Sequence, residues 1–190
     1  MFNITGFRPM QGYEKHINVL NFLIRLNVFA MPLYVILFFD LSLPQLQRLI
    51  ADITFSLLST AGFNPVINDL LISIPIQNGS WGAFINWDCT AWKSMLAFFA
   101  LVMATDKVME KKRVMQKNRR FISYLDPKLK ALVVFLPLIF IVNLFRIFFM
   151  FFYVRTFDLA YYSFVHAFVW SWGMIFVVLA FWILWMKKIN

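Results

Sequence analysis

Residues 131–154, ALVVFLPLIFIVNLFRIFFMFFYV, are apolar except for Asn143, Arg146 and the terminal Tyr153. At about 1.5 Å of rise per residue, a helix of this length exceeds the roughly 30 Å hydrocarbon core of a bilayer. The run therefore reads as a transmembrane helix, and the rest of the chain has to be compatible with a membrane. Arg146 lies eight residues from one end of it, at a depth where a guanidinium costs several kcal/mol unless it is partnered or lines a wet cavity. Asn143, three residues earlier, shares its helical face.

Composition agrees with that constraint. Of 190 residues 62% are hydrophobic and only 14% charged, with 24 Phe and 7 Trp, which lies outside the range of soluble domains. The apolar segments are too long for strands and lack the alternation of a membrane barrel, so the expected class is an all-α membrane bundle in one domain. A net charge of +9 is read as membrane topology and attraction to anionic headgroups, not as nucleic-acid binding, because half of the basic residues fall in one loop beside apolar spans.

Four spans are expected, at about 17–39, 90–105, 131–154 and 160–186. Residues 42–62 place Leu46, Leu49, Ile50, Ile53, Leu57 and Leu58 at helical spacing among Gln, Arg, Asp, Ser and Thr, the pattern of an amphipathic helix in the interface, and Gly62 is positioned to stop it. Segment 63–88 holds Pro65, Pro75, Gly79 and Gly82 with an alternating run, which favours two short strands around Asn78-Gly79-Ser80. It has no Lys or Arg, so the positive-inside rule sends it outside. The same triplet is a glycosylation sequon, a weak signal. The loop 106–130 carries nine Lys and Arg against three acids and is expected in the cytoplasm. Neither an internal repeat nor a low-complexity tract is present.

This topology gathers three reactive groups on one side. Cys89, the single cysteine, opens the second span; Arg146 and His166 fall ~12 Å and ~9 Å below the outer ends of the third and fourth, at about 1.5 Å per residue. A thiolate attacks a peptide carbonyl, an imidazole protonates the departing amine, and a guanidinium stabilises negative charge. A nearby cation would also lower the thiol pKa. The blander reading of Cys89 is a small buried hydrophobe, and that of Lys93, one turn further on, a snorkelling side chain. One cysteine and two histidines make no convincing metal site, and no zinc-protease, serine-hydrolase or Walker motif is present. No cofactor is expected.

Three short motifs in order, Asp88-Cys89-Thr90-Ala91, Asn143-Leu144-Phe145-Arg146 and Val165-His166-Ala167, resemble the pattern of the exosortase/archaeosortase family of membrane-embedded cysteine transpeptidases. The helix ending Leu57-Leu58-Ser59-Thr60-Ala61-Gly62 is similar to the family's segment ahead of its external strands. Many members read Cys-Ser-Gly where this chain has Cys89-Thr90-Ala91, and larger members carry more spans.

The resemblance implies a protease/transpeptidase facing the extracytoplasmic side of the cell membrane. Its partners would be exported proteins ending in a short motif, a transmembrane helix and a basic tail, cleaved and transferred to a lipid or another acceptor. Cys89 would be the nucleophile, His166 the acid/base, Arg146 the oxyanion or thiolate stabiliser, and Asn143 a supporting residue orienting Arg146. The competing class is a non-enzymatic membrane protein, such as a transporter subunit or assembly factor, whose Arg146 pairs with a partner helix.

Overall fold

The computed structural model describes residues 11–76, 79–105, 127–157, 159, 162–168 and 172–189. Most of the basic loop, 106–126, and the turn containing Asn78 lie outside them.

The long apolar run forms α5, Pro127–Phe157, a 31-residue helix and, among the described residues, the one helix long and apolar enough by itself to cross a membrane. Pro137 sits inside it; such a break in the hydrogen-bond ladder is tolerated where neighbouring helices surround it. The expected first span is two helices, α1 (Gln11–Phe29) and α2 (Met31–Phe38), bent by 41° at the break. Pro32, at the start of α2, has no N–H to donate to the preceding turn, which accounts for a break there. Together the pair passes the same test of length and composition, as a broken span or a re-entrant loop.

The expected second span is shorter than read from sequence. Helix α4 covers Trp92–Ala104, 13 residues or about 20 Å. The expected fourth span is two helices, α6 (Tyr162–Phe168) and α7 (Met174–Ile189). Helix α4 packs against α1, α5 and α7. Around it one buried cluster joins Phe98 and Val102 to Ile139, Met174, Val178 and Trp185. Two polar ties pin the far end: Lys128 Nζ donates to the Met103 carbonyl at 3.0 Å, and Trp182 Nε1 to Thr105 Oγ1 at 3.2 Å.

A second cluster fills the other end. Helix α3, Pro44–Thr60, buries Ile50, Ala51, Thr54 and Leu58, packing on α5 and the sheet. Leu49 and Leu57 remain exposed. The apolar stripe of α3 is thus divided, one edge serving the protein's own core, where each fully buried Leu or Ile contributes roughly 1.5–3 kcal/mol. The helix ends as Gly62 requires: at φ +74°, Gly62 N–H donates to the Ser59 carbonyl and Phe63 N–H to the Leu58 carbonyl, each at 3.0 Å. This is a Schellman closure with Leu58 and Phe63 in the same cluster. Arg155 Nη1 donates to the Gly62 carbonyl at 2.7 Å, fixing the end of α3 to the end of α5.

The next segment forms three strands rather than two: β1 (Val66–Asn68), β2 (Leu71–Ile76) and β3 (Gly79–Phe84), antiparallel in the order β1-β2-β3. Ile72 and Ile74 are buried, so the sheet lays one face on α3 and α5. The extra strand β1 is three residues long, too short to leave a period-two signal.

Candidate active site

After β3 the chain makes a single 3-10 turn, Trp87–Thr90, and Cys89 sits in it. Asn86 holds the turn: its Oδ1 accepts from Cys89 N–H and from the Sγ, both at 3.1 Å. Thr90 closes it, Oγ1 donating to the Trp87 carbonyl at 2.8 Å. Ala91 then takes a left-handed conformation, φ +60°, before α4 begins. That geometry suits glycine and costs an alanine about 1–2 kcal/mol. The stacked rings of Trp87 and Trp92, 5.4 Å apart, flank the reversal.

Asn143 and Arg146 lie on the buried face of α5 with Ile139, Ile147 and Met150. The Asn143 side chain is completely buried, and its Nδ2 donates to the carbonyl of Cys89. The bond made by this supporting residue therefore runs to the backbone of the cysteine turn, which it ties to α5.

Cys89 and His166 line the same cavity, of about 400 Å³, bounded by β3, by Ile147, Met150 and Phe151 of α5, and by Tyr162 of α6. The His166 ring packs 5.4 Å from that of Tyr162, which meets Trp81 edge-on at 5.3 Å. Arg146 does not border the cavity; it is buried beside it, 9% exposed, with its charge acting on both Cys89 and His166. Three groups distant in sequence thus belong to one electrostatic neighbourhood.

The effect on the thiol differs from the sequence expectation. Burial pushes the Cys89 pKa up to about 11; a hydrogen bond from the Asn86 backbone and the Arg146 charge pull it down, and Asp88 adds a smaller upward push. Removing the sulfur from water outweighs the cation beside it. A pKa that high makes Cys89 a neutral thiol at pH 7, so its alkylation by a small maleimide should rise about tenfold per pH unit from 7 to 9 with no plateau. A plateau below pH 8 would show a thiolate instead. Lys93 pairs with Asp88, Nζ to Oδ1 2.7 Å, and so offsets a carboxylate next to the sulfur.

Two side chains at the site escaped sequence reading. Asn86 stands three residues before Cys89, the spacing of an N-cap, and Tyr162 one helical turn before His166. Both spacings were available as signals. Among the described residues no group of three or more His, Cys, Asp or Glu is placed to hold a metal ion.

Fold and site together define a helical membrane protein with a cysteine–histidine cavity beneath a small sheet. The chain belongs to the transmembrane exosortase family, whose model matches residues 14–186. Neither the curated proteins nor the solved structures give a match. Membership makes it a membrane protein of a peptidase/transpeptidase family that acts on exported proteins with C-terminal sorting signals.

Proposed function

We propose that this chain is a multi-pass cysteine transpeptidase whose catalytic residues are Cys89, His166 and Arg146, with its cavity open to the extracytoplasmic side. The observation that carries the reading is the shared cavity of Cys89 and His166 with the Arg146 charge beside it. The orientation follows from the absence of Lys and Arg in 63–88 and their abundance in 106–130. Four crossings of the membrane, with α3 in the interface, satisfy that charge pattern.

In the proposed reaction His166 accepts the Cys89 proton as the sulfur attacks the carbonyl carbon of the scissile peptide bond. A C–S bond forms, and the negative charge that moves to the carbonyl oxygen is stabilised by Arg146. The imidazolium then returns the proton to the departing amine, the C–N bond breaks, and a thioester remains on Cys89. An acceptor hydroxyl, amine or water gives its proton to His166 and attacks the thioester carbonyl; the C–S bond breaks and the imidazolium returns that proton to the Cys89 sulfur. Asn143 keeps the cysteine turn against α5 throughout. A buried neutral thiol suits this order, since proton and nucleophile move only when a substrate fills the cavity.

The test is a trapped intermediate. Membranes containing the chain and an exported reporter that ends in a motif, an apolar helix and a basic tail should yield a covalent adduct of the two, sensitive to hydroxylamine and absent with Cys89→Ala. Processing without any hydroxylamine-sensitive adduct, at equal rates in both proteins, would remove Cys89 from the chemistry.

A further inference from the structure

Strand β3 is an edge strand, with β2 on one side and no strand on the other among the described residues. The direction in which its backbone groups point can be derived from Pro75. In an antiparallel pair, alternate residue pairs exchange both hydrogen bonds, and Pro75, lacking an N–H, cannot form such a pair with its partner Ser80. The exchanging pairs are therefore Ile76 with Gly79, Ile74 with Trp81, and Ile72 with Ala83. It follows that Ser80, Gly82 and Phe84 turn their N–H and C=O groups away from β2, toward the open edge. The Phe84 carbonyl is taken by Asn86 N–H at 3.0 Å; the N–H and C=O of Gly82 and the N–H of Phe84 face outward.

That edge borders the cavity. Successive side chains of a strand point to opposite faces, so a cavity against one face would touch every second residue. The cavity here touches the consecutive residues 81–84 of β3 and Ile85 and Asn86 beyond it, as a space running along the backbone edge does. Natural sheets protect such edges with charged residues, proline or a bulge, or by keeping the strand short. The other edge, β1, has three residues, whereas β3 reads Gly-Ser-Trp-Gly-Ala-Phe, with neither charge nor proline. Gly82, without a side chain, leaves the closest backbone approach in its middle.

We propose that the open edge of β3 is the substrate-recognition surface. The extended segment of the sorting signal next to the scissile bond adds to the sheet as a fourth strand, paired with Gly82 and Phe84, and is delivered to Cys89 and His166 at the end of the cavity. This deepens the cysteine-transpeptidase reading and rests on it. Backbone pairing of this kind binds an extended peptide through groups that every sequence has, leaving side-chain pockets to select the motif.

Two measurements test it with an exported reporter ending in motif, apolar helix and basic tail, taken from the genome that encodes this chain. Gly82→Ala and Gly82→Pro both add a Cβ into contacts of 3.3 Å with Ile72 O, Leu71 Cδ1 and Ser73 Cβ, but only proline deletes the outward N–H. An outward-facing position on an edge strand accepts proline. Loss of that bond and its neighbour is expected to lower kcat/KM of Gly82→Pro about tenfold below that of Gly82→Ala, mostly through KM. Equal values would overturn the proposal.

The second measurement uses no turnover. Cys89 is the only cysteine, so Cys89→Ala with Phe84→Cys presents a single thiol on the edge, to be cross-linked to single cysteines stepped along the reporter. Strand addition gives disulfide yields alternating with a period of two; a period of three to four, or a flat profile, would sink it. Full processing by Cys89→Ala would end the nucleophile reading alone, and alternating cross-links would still support strand addition.

Discussion

Replacing Cys89 by alanine is expected to lower processing of an exported reporter at least about a thousandfold, since the proposed reaction carries the acyl group on the sulfur of the single cysteine. The protein should still accumulate in the membrane. Cys89 is a buried member of the cluster that joins α3, the sheet and α5, and removing one sulfur atom leaves a small void worth about 1 kcal/mol. The hydrogen bonds of its backbone, from Asn143 and to Asn86, do not depend on the side chain. Cys89→Ser should be nearly as inactive, because a hydroxyl is a far weaker acid than a thiol and gives up its proton to an imidazole much less readily. Pulse-chase of the reporter, normalised to membrane levels of each variant, gives the rates. Full processing by Cys89→Ala would remove Cys89 from the chemistry.

The second large effect is expected at Arg146. Its charge acts on Cys89 and His166 from beside the cavity, and stabilisation of developing negative charge in a water-poor site is worth about 10²–10³ in kcat. Arg146→Ala should show that loss in kcat with little change in KM. Arg146→Lys should recover part of it, since a lysine keeps the charge but lacks the planar fork. Thiol chemistry supplies a readout independent of turnover: the Arg146 charge lowers the Cys89 pKa, so at a fixed pH a maleimide should label Cys89 more slowly in Arg146→Ala. An unchanged labelling rate together with loss of a co-purifying membrane partner would support the partner-helix alternative instead.

The residues that took part in these effects were legible in the sequence to different degrees. Arg146 and Asn143 stood out because a polar group in a long apolar run is expensive and needs a reason. Cys89 and His166 stood out only by their order and spacing around that run. Asn86 and Tyr162 carried real signals, a cap spacing and a one-turn spacing, but such spacings recur throughout any chain and acquire meaning only once a neighbour is known. The pull of a cation on the thiol can be argued from topology, and the Arg146 charge does lower the Cys89 pKa, whereas the extent of burial cannot be argued that way, and burial is the larger influence. Lys93 appeared to be a headgroup anchor because Asp88 lies five residues away, across the left-handed reversal at Ala91 that brings the two side chains together.

By itself the sequence determined that this chain is a helical membrane protein and where its apolar runs lie. Hydrophobicity and charge are sums over residues, and the bilayer reads them one segment at a time. Only the tertiary structure decided that the first apolar run bends next to Pro32, that the apolar stripe of α3 is shared between core and surroundings, and that a third strand precedes the hairpin. It alone decided, too, that the free edge of β3 runs along the cavity of Cys89 and His166. These depend on which faces pack against which, and packing between segments far apart in sequence leaves no periodic mark on either one.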